Sequence, residues 1–368
     1  MRNQIARVVL GASLLIASAM AQAPASSIRY FQQGGASLGA PQRLAAAPQL
    51  DAEHAQPSLA RPSIGERLLQ DDQDYSVVAL FREAHGEFMD RRERYDPAVE
   101  LRARWMPTQN IKREPGDFDL FGYDIDAEFP VVIYPDSYLL LGVYQYGRHY
   151  ETSNGFASQG NVRGWGDETL TAAGVRVGLG VFLSDNVLFE AVTNPGVYSD
   201  LEGTLTHKDY DFPSSAMFTV QANNDLFFKF GARYNQIYQD APWLPWLGFS
   251  WELAEGVRLD LLLPESIEFA WWATASTSFS IGATVQGAQY RVRSSAGTNK
   301  EQANVNVQEV LAYIGMTHRL TDTWSFSARA GSVLAGHYDL SDGQNTFTRA
   351  SGSLDQGLYA DVSLGIDW

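Results

Sequence analysis

The sequence predicts an all-β protein: a transmembrane, antiparallel, up-and-down β-barrel behind a largely disordered amino-terminal extension. Three observations carry this reading. Apolar and polar residues alternate in short segments from about residue 97 to the end, the period of a strand with one apolar face. Beyond the first twenty-odd residues no apolar run is long enough for a membrane helix, a test that barrels escape because only every second residue meets lipid. The connectors between the segments sort into two sets, one mostly short and one that holds all the longest.

Taken in order, the chain opens on a secretory signal. Arg2 and Arg7 precede an apolar core from Val8 to Ala17, and Ala19-Met20-Ala21 supplies the small residues of a cleavage site, so residues 1–21 are excluded from the fold. Residues 22–70 are rich in Ala, Pro, Gln, Gly and Ser. Such a stretch buries too little surface to offset its ordering entropy and reads as a flexible periplasmic extension; the alternative is a plug or tether inside the barrel. Residues 71–96 read as a short amphipathic helix or linker. Val78, Phe81, Ala84 or His85, and Phe88 recur at helical spacing, with Asp71, Asp72 and Asp74 before them and Arg91, Arg92 and Arg94 behind. Tyr75, Val77, Ala79 and Phe81 also alternate, so an extra strand is the competing assignment.

The barrel occupies residues 97–368. Val99, Leu101, Ala103 and Trp105 share one face, and Phe121, Tyr123, Ile125, Ala127 and Phe129 another. The same alternation along the chain gives about fourteen strands, with twelve as the alternative, and single-chain barrels have even strand numbers. Thr321-Asp322, Ala275–Ser278, Ala254–Gly256, Asn223–Asp225, Ser184–Asn186 and Pro130–Ser137 form one set of links. The other holds all the longest, including Pro107–Asp117, Arg148–Glu168, Asn194–Pro213, Ser294–Ala303 and Tyr338–Gly352. Short periplasmic turns and long outer loops are the expected pattern. Tryptophans such as Trp243, Trp246, Trp251, Trp271, Trp272 and Trp324 fall near strand ends, as in interfacial girdles.

The chain closes on an alternating strand. Val362, Leu364, Ile366 and Trp368 lie on its apolar face and Tyr359 on the intervening one. An alternating last strand with an aromatic terminus resembles the insertion signal of bacterial outer-membrane barrels. That resemblance implies the outer membrane of a Gram-negative-type bacterium, reached after cleavage near Ala21. The implied partners are outer-membrane lipid and the barrel-assembly machinery. The run from Pro245 to Trp251, with Gly256 and Leu259-Asp260-Leu261-Leu262-Leu263-Pro264, is similar to a family of predicted outer-membrane barrels catalogued as a domain of unknown function. The resemblance spans roughly residues 95–368 and implies fold and location, but no catalytic residue.

If the apolar faces meet lipid, the opposite faces line a lumen. That row holds Asp124, Asp126, Glu128, Arg176, Lys229, Arg233, Arg258, Asp260, Glu268, Arg329 and Asp361. Gly174, Gly178 and Gly180 leave space beside them. A charged constriction that sets pore selectivity and a salt-bridge network filling a narrow interior both require this wall. The leading expectation is a narrow porin-like channel for small solutes. The alternatives are a non-conducting structural or surface-interaction barrel and, third, a lipid-modifying enzyme.

Other chemistry finds little support. A net charge of -16 argues against nucleic acid, and the absence of cysteine excludes disulfides and thiolate metal sites. His337, in phase with Ser327 and Arg329, is the strongest histidine for a hydrolase, but no known hydrolase spacing surrounds it. Asp209 and Asp211 read as a solvated loop pair rather than a cation site, and no cofactor fingerprint occurs.

Overall fold

A computed structural model describes residues 76–92, 98–110, 117–153, 168–202, 204–235, 242–293, 302–342 and 348–366. The expected signal peptide, the extension and Trp368 lie outside them. Among the described residues one helix, α1 (Val77–Arg92), precedes the strands. In order these are β1 (Val99–Asn110), β2 (Asp117–Tyr134), β3 (Ser137–Ser153), β4 (Glu168–Ser184), β5 (Val187–Thr193) and β6 (Gly196–Ser199). Next come β7 (Tyr210–Asp211), β8 (Ser214–Asn223), β9 (Leu226–Tyr234), β10 (Trp243–Ala254), β11 (Val257–Leu263) and β12 (Ser266–Thr274). The last are β13 (Thr277–Arg293), β14 (Gln302–Arg319), β15 (Trp324–Asp342), β16 (Thr348–Leu354) and β17 (Gly357–Ile366).

Antiparallel neighbours close into a ring of 14 wall strands, sealed where Val99–Trp105 of β1 pair with Ile366–Ala360 of β17. β6 continues β5 beside β4 in the same register, β7 continues β8 beside β6, and β16 continues β17 beside β15. Two-residue turns at 135–136, 185–186, 224–225, 255–256 and 275–276 all lie at one end. β2 runs on through Pro130 to Tyr134, four residues beyond Pro130, where the sequence suggested a connector. The reason is local: β1 pairs with β2 only as far as Ala127, so the missing amide of Pro130 faces no strand on that side.

Register fixes the two faces. Leu101, Phe121, Leu141, Val175, Phe230, Ile281 and Ile314 are exposed on the outer face. A belt of large apolar side chains this extensive calls for a non-aqueous neighbour. Trp251, Trp271 and Trp324 belong to it, but Trp246 and Trp272 share the inward face with Arg233 and Arg258 and are not girdle residues.

The interior is not uniformly polar. Towards the long connectors the inward row is apolar. Met106, Phe118, Leu120, Tyr150, Tyr290, Val305, Leu311 and Tyr338 form one buried cluster. Here β6, the continuation of β5, reaches across the ring. It pairs antiparallel with Thr171–Gly174 of β4 and meets β13 in parallel, Ser199 opposite Arg291, with the Asp200 amide donating to the Arg291 carbonyl at 3.1 Å. β4 and β13 face each other across the ring: β5, β8, β9, β10, β11 and β12 lie between them one way, and β14, β15, β17, β1, β2 and β3 the other. The β6 extension of β5 thus forms a clasp that touches the opposite wall strand β13.

The short-turn end is filled differently. Phe81 and Phe88 of α1 pack among the inward-facing Tyr138, Leu140, Phe182, Leu188 and Phe227. The His85 ring stacks on Phe182 at 3.7 Å, and its Nε2 lies 3.1 Å from Asp136 in the β2–β3 turn. Arg91 donates to the Asn224 carbonyl in the β8–β9 turn at 2.5 Å. The amphipathic helix thus plugs the half of the mouth walled by β3, β4, β5 and β9, and the strand alternative for 75–81 does not hold from Val77 onward.

Candidate functional site: the lumen

All eleven candidate lumen residues lie on the inward row in the register. Their arrangement is one of pairs. Arg148 Nη1 donates to Asp124 Oδ1 at 2.5 Å and also to the carbonyls of Tyr123 and Gly147. Arg176 holds Asp126 with two bonds of 2.9 Å, bonds Glu128, and reaches Asn194 Oδ1 at 3.0 Å through Nε. Tyr146 donates to Asp126 from the other side at 2.8 Å. Arg104 lies 3.9 Å from Asp361 and donates to Gln286, which in turn donates to Glu309. These bonds form two groups, one tying β2, β3 and β4 together and one tying β1, β13, β14 and β17. A charge out of water needs such a partner, because its desolvation otherwise outweighs what the fold gains.

The remaining candidates sit on other wall sectors. Lys229 is opposite Thr219 and Gly248. Arg233 bonds Glu265 and lies over the Trp246 ring, 5.5 Å from its centroid. Arg258 pairs with Asp260 at 2.6 Å. Glu268 accepts from the Tyr313 hydroxyl at 2.6 Å, and Arg329 covers the face of that same ring at 4.8 Å. Arg258, Asp260, Glu268 and Arg329 all line one polar cavity of about 230 Å³ at the short-turn end, in the sector α1 leaves free.

Several residues take places the sequence did not indicate. Gly180 and Gly174 are not open lumen: a Cβ on Gly180 would collide with the Tyr138 ring, and one on Gly174 with the Tyr144 hydroxyl and the Pro195 carbonyl. His337 is out of phase with Ser327 and Arg329, because a bulge at Leu334 flips β15; His337 is exposed and Gly336 and Tyr338 turn inward. Asp209 is saturated inside its loop by the Thr206 amide, the Thr206 hydroxyl and Ser199. Asp211 pairs with Gly196 of β6, and burial pushes its carboxyl above the usual range against the donating Phe212 amide. Arg104, which the sequence places opposite the apolar face of β1, was not among the candidates, and Arg148 and Tyr198 were missed; Arg148 shows in the sequence as a base in phase with Tyr146.

The family model for a domain of unknown function, DUF6268, matches residues 168–368, more than half of the 368-residue chain. The chain belongs to the DUF6268 family. The match begins at β4, later than the residue near 95 where the sequence resemblance was placed, so Asp124, Asp126 and Glu128 precede the DUF6268 region while their partner Arg176 lies within it. A comparison with curated proteins finds no match. Among solved structures, an outer membrane channel from Pseudomonas putida F1 is similar at 8% identity and a TM-score of 0.37, over 74% of this chain and 96% of that one. The P. putida toluene transporter TodX is similar at 10% identity and a TM-score of 0.36, over 80% and 94%. The translocator domain of the Neisseria meningitidis autotransporter NalP gives 11% and 0.31, over 78% and 97%. Likenesses this distant carry no argument about function.

Proposed function

We propose that the protein is a narrow outer-membrane channel for small polar solutes, held shut at its outer end by the β6–β7 clasp. The long connectors face the outside and α1 faces the periplasm. The observation that carries this is the reach of β6, the continuation of β5 beside β4, to β13 on the opposite side of the ring. Of the buried apolar cluster, only Tyr198 belongs to the clasp; the other members stand on wall strands or their continuation. Release of β6 from β13 would part the walls without dismantling either. The seam to β13 is one bridged pair and one further backbone bond, whereas that to β4 runs over four pairs. Two rings reinforce it: Tyr198 meets Tyr290 of β13 at 6.3 Å and shares a 3.0 Å hydroxyl contact with Tyr144 of β3.

The paired charges and the packed cluster favour a second reading, a non-conducting scaffold. Proteoliposome swelling separates the two. The channel reading expects slow entry of small sugars and amino acids through the wild type and faster entry through Tyr198→Ala. No swelling with either protein leaves the scaffold.

A further inference from the structure

The polar cavity at the short-turn end carries chemistry that closing a lumen does not require. It measures about 230 Å³, well below the ~300–1,000 Å³ of drug-sized sites. Its lining holds four bases, Arg102, Arg258, Arg319 and Arg329, against three acids, Glu100, Asp260 and Glu268, a local balance of +1 in a chain of net charge -16. Two of the bases are satisfied: Arg102 bonds Glu100 at 2.8 Å, and Arg258 bonds Asp260. Arg319 sits exposed at the rim.

Arg329 differs. Among the described residues it has no carboxylate within ion-pair distance. Its guanidinium lies on the Tyr313 ring, which Glu268 anchors from the far side. A guanidinium held over a ring by cation–π attraction keeps N–H donors for an oxyanion, which it can grip in a two-point fork. Space for the stem is made by Gly315, directly opposite, where a Cβ would come within 3.2 Å of Arg329 Cγ and 2.8 Å of Ser280 Oγ. Hydroxyls surround the same cavity on four adjacent strands: Ser280 of β13, Thr317 of β14, Ser327 of β15 and Ser363 of β17.

We propose that this cavity binds a small hydroxylated organic anion, its oxyanion on Arg329 and its hydroxyls on the serine and threonine row. The site deepens the channel reading and rests on it in one respect, that the cavity is a station on the solute's path. Carboxylate and phosphate share the oxyanion chemistry, and the two are told apart by probe.

The test is calorimetric titration of refolded full-length protein in detergent with gluconate, glycerol 3-phosphate, inorganic phosphate and glycerol. Binding of gluconate or glycerol 3-phosphate, with glycerol silent, is the expected result, and the tighter of the two names the head group. Arg329→Gln should weaken it about tenfold or more, the loss expected when a bond to a charged group is removed. Ser327→Ala and Ser363→Ala take away no charge. They should weaken the hydroxylated anions about threefold and leave inorganic phosphate unchanged, which keeps the test decisive should Arg329→Gln fail to assemble. No binding of any anion to the wild type, or equal binding by the serine variants, overturns the proposal. Because titration needs no membrane, anion binding without solute passage would keep the site and sink the channel; passage without binding would do the reverse.

Discussion

Neutralising Asp124 should destabilise the barrel more than neutralising Asp126, although the two stand two residues apart on the same inward row. The difference lies in what each leaves behind. Asp124→Asn takes the counter-charge from Arg148, and both side chains are only 16% exposed. Arg148 keeps the Tyr123 and Gly147 carbonyls, so the cost falls at the low end of the ~3–5 kcal/mol for orphaning a buried charge, about 3 kcal/mol. Asp126→Asn leaves Arg176 with Glu128 and Asn194, and an Asn oxygen still accepts from Tyr146. A loss of about 1 kcal/mol is expected, the net worth of an ordinary hydrogen bond. Reversible urea unfolding of refolded protein, followed by tryptophan fluorescence, measures both, with the slope unchanged if only stability has moved. If the solute path passes these residues, the double variant should also shift reversal potential toward anions. Equal losses, or a larger loss for Asp126→Asn, would refute the pairing. No change in melting or selectivity would remove β2's inward row from the lumen altogether.

Three further outcomes follow from the same geometry. Phe81→Ala with Phe88→Ala should release α1, seen as faster protease cutting within 77–92 at unchanged barrel migration on gels; equal cutting would contradict a seated plug. Ile314→Arg places a charge on the exposed apolar belt and should cost ~2–4 kcal/mol if it lies near mid-bilayer, whereas the inward Thr317→Arg should assemble normally. Asp211 gives the clasp a pH dependence. An acid whose pKa is raised in the closed state favours closure below the ordinary carboxylate range and loses that contribution as pH rises through the raised value. Conductance should therefore climb over that window, and Asp211→Asn should flatten the profile; a flat wild-type profile would count against it.

Strands, faces and the inward charges were legible because a period of two survives any tertiary context in which one face is apolar. Pairing was not legible. Whether Asp124 answers Arg148 or Arg176 depends on register between strands, which a single strand's pattern does not contain. The clasp was invisible for a related reason. β6 is four residues long inside a Gly- and Pro-bearing connector, and its partner Arg291 is far away in sequence. His337 failed because one bulged residue, Leu334, reverses the alternation. The α1 stripe of Phe81, His85 and Phe88 was readable, but a stripe says only that a helix is covered, not by what. The apolar filling had a signal that the lipid-outside rule obscured: Val305, Val307, Leu311 and Tyr313 run along the inward row of β14, where an aqueous lumen would place polar residues.

The central claim, a channel closed by its clasp, is tested most directly by single-channel recording of the refolded wild type beside Tyr198→Ala. Tyr198 is the buried clasp residue that touches both Tyr144 and Tyr290, and truncating a buried aromatic costs ~3–5 kcal/mol. If release of the clasp exposes Tyr198, even about 3 kcal/mol multiplies the open-to-closed ratio by roughly a hundredfold. The account predicts rare, brief openings in the wild type and long ones of the same unit conductance in the variant. A folded variant as silent as a silent wild type, or a wild type open throughout, would contradict it.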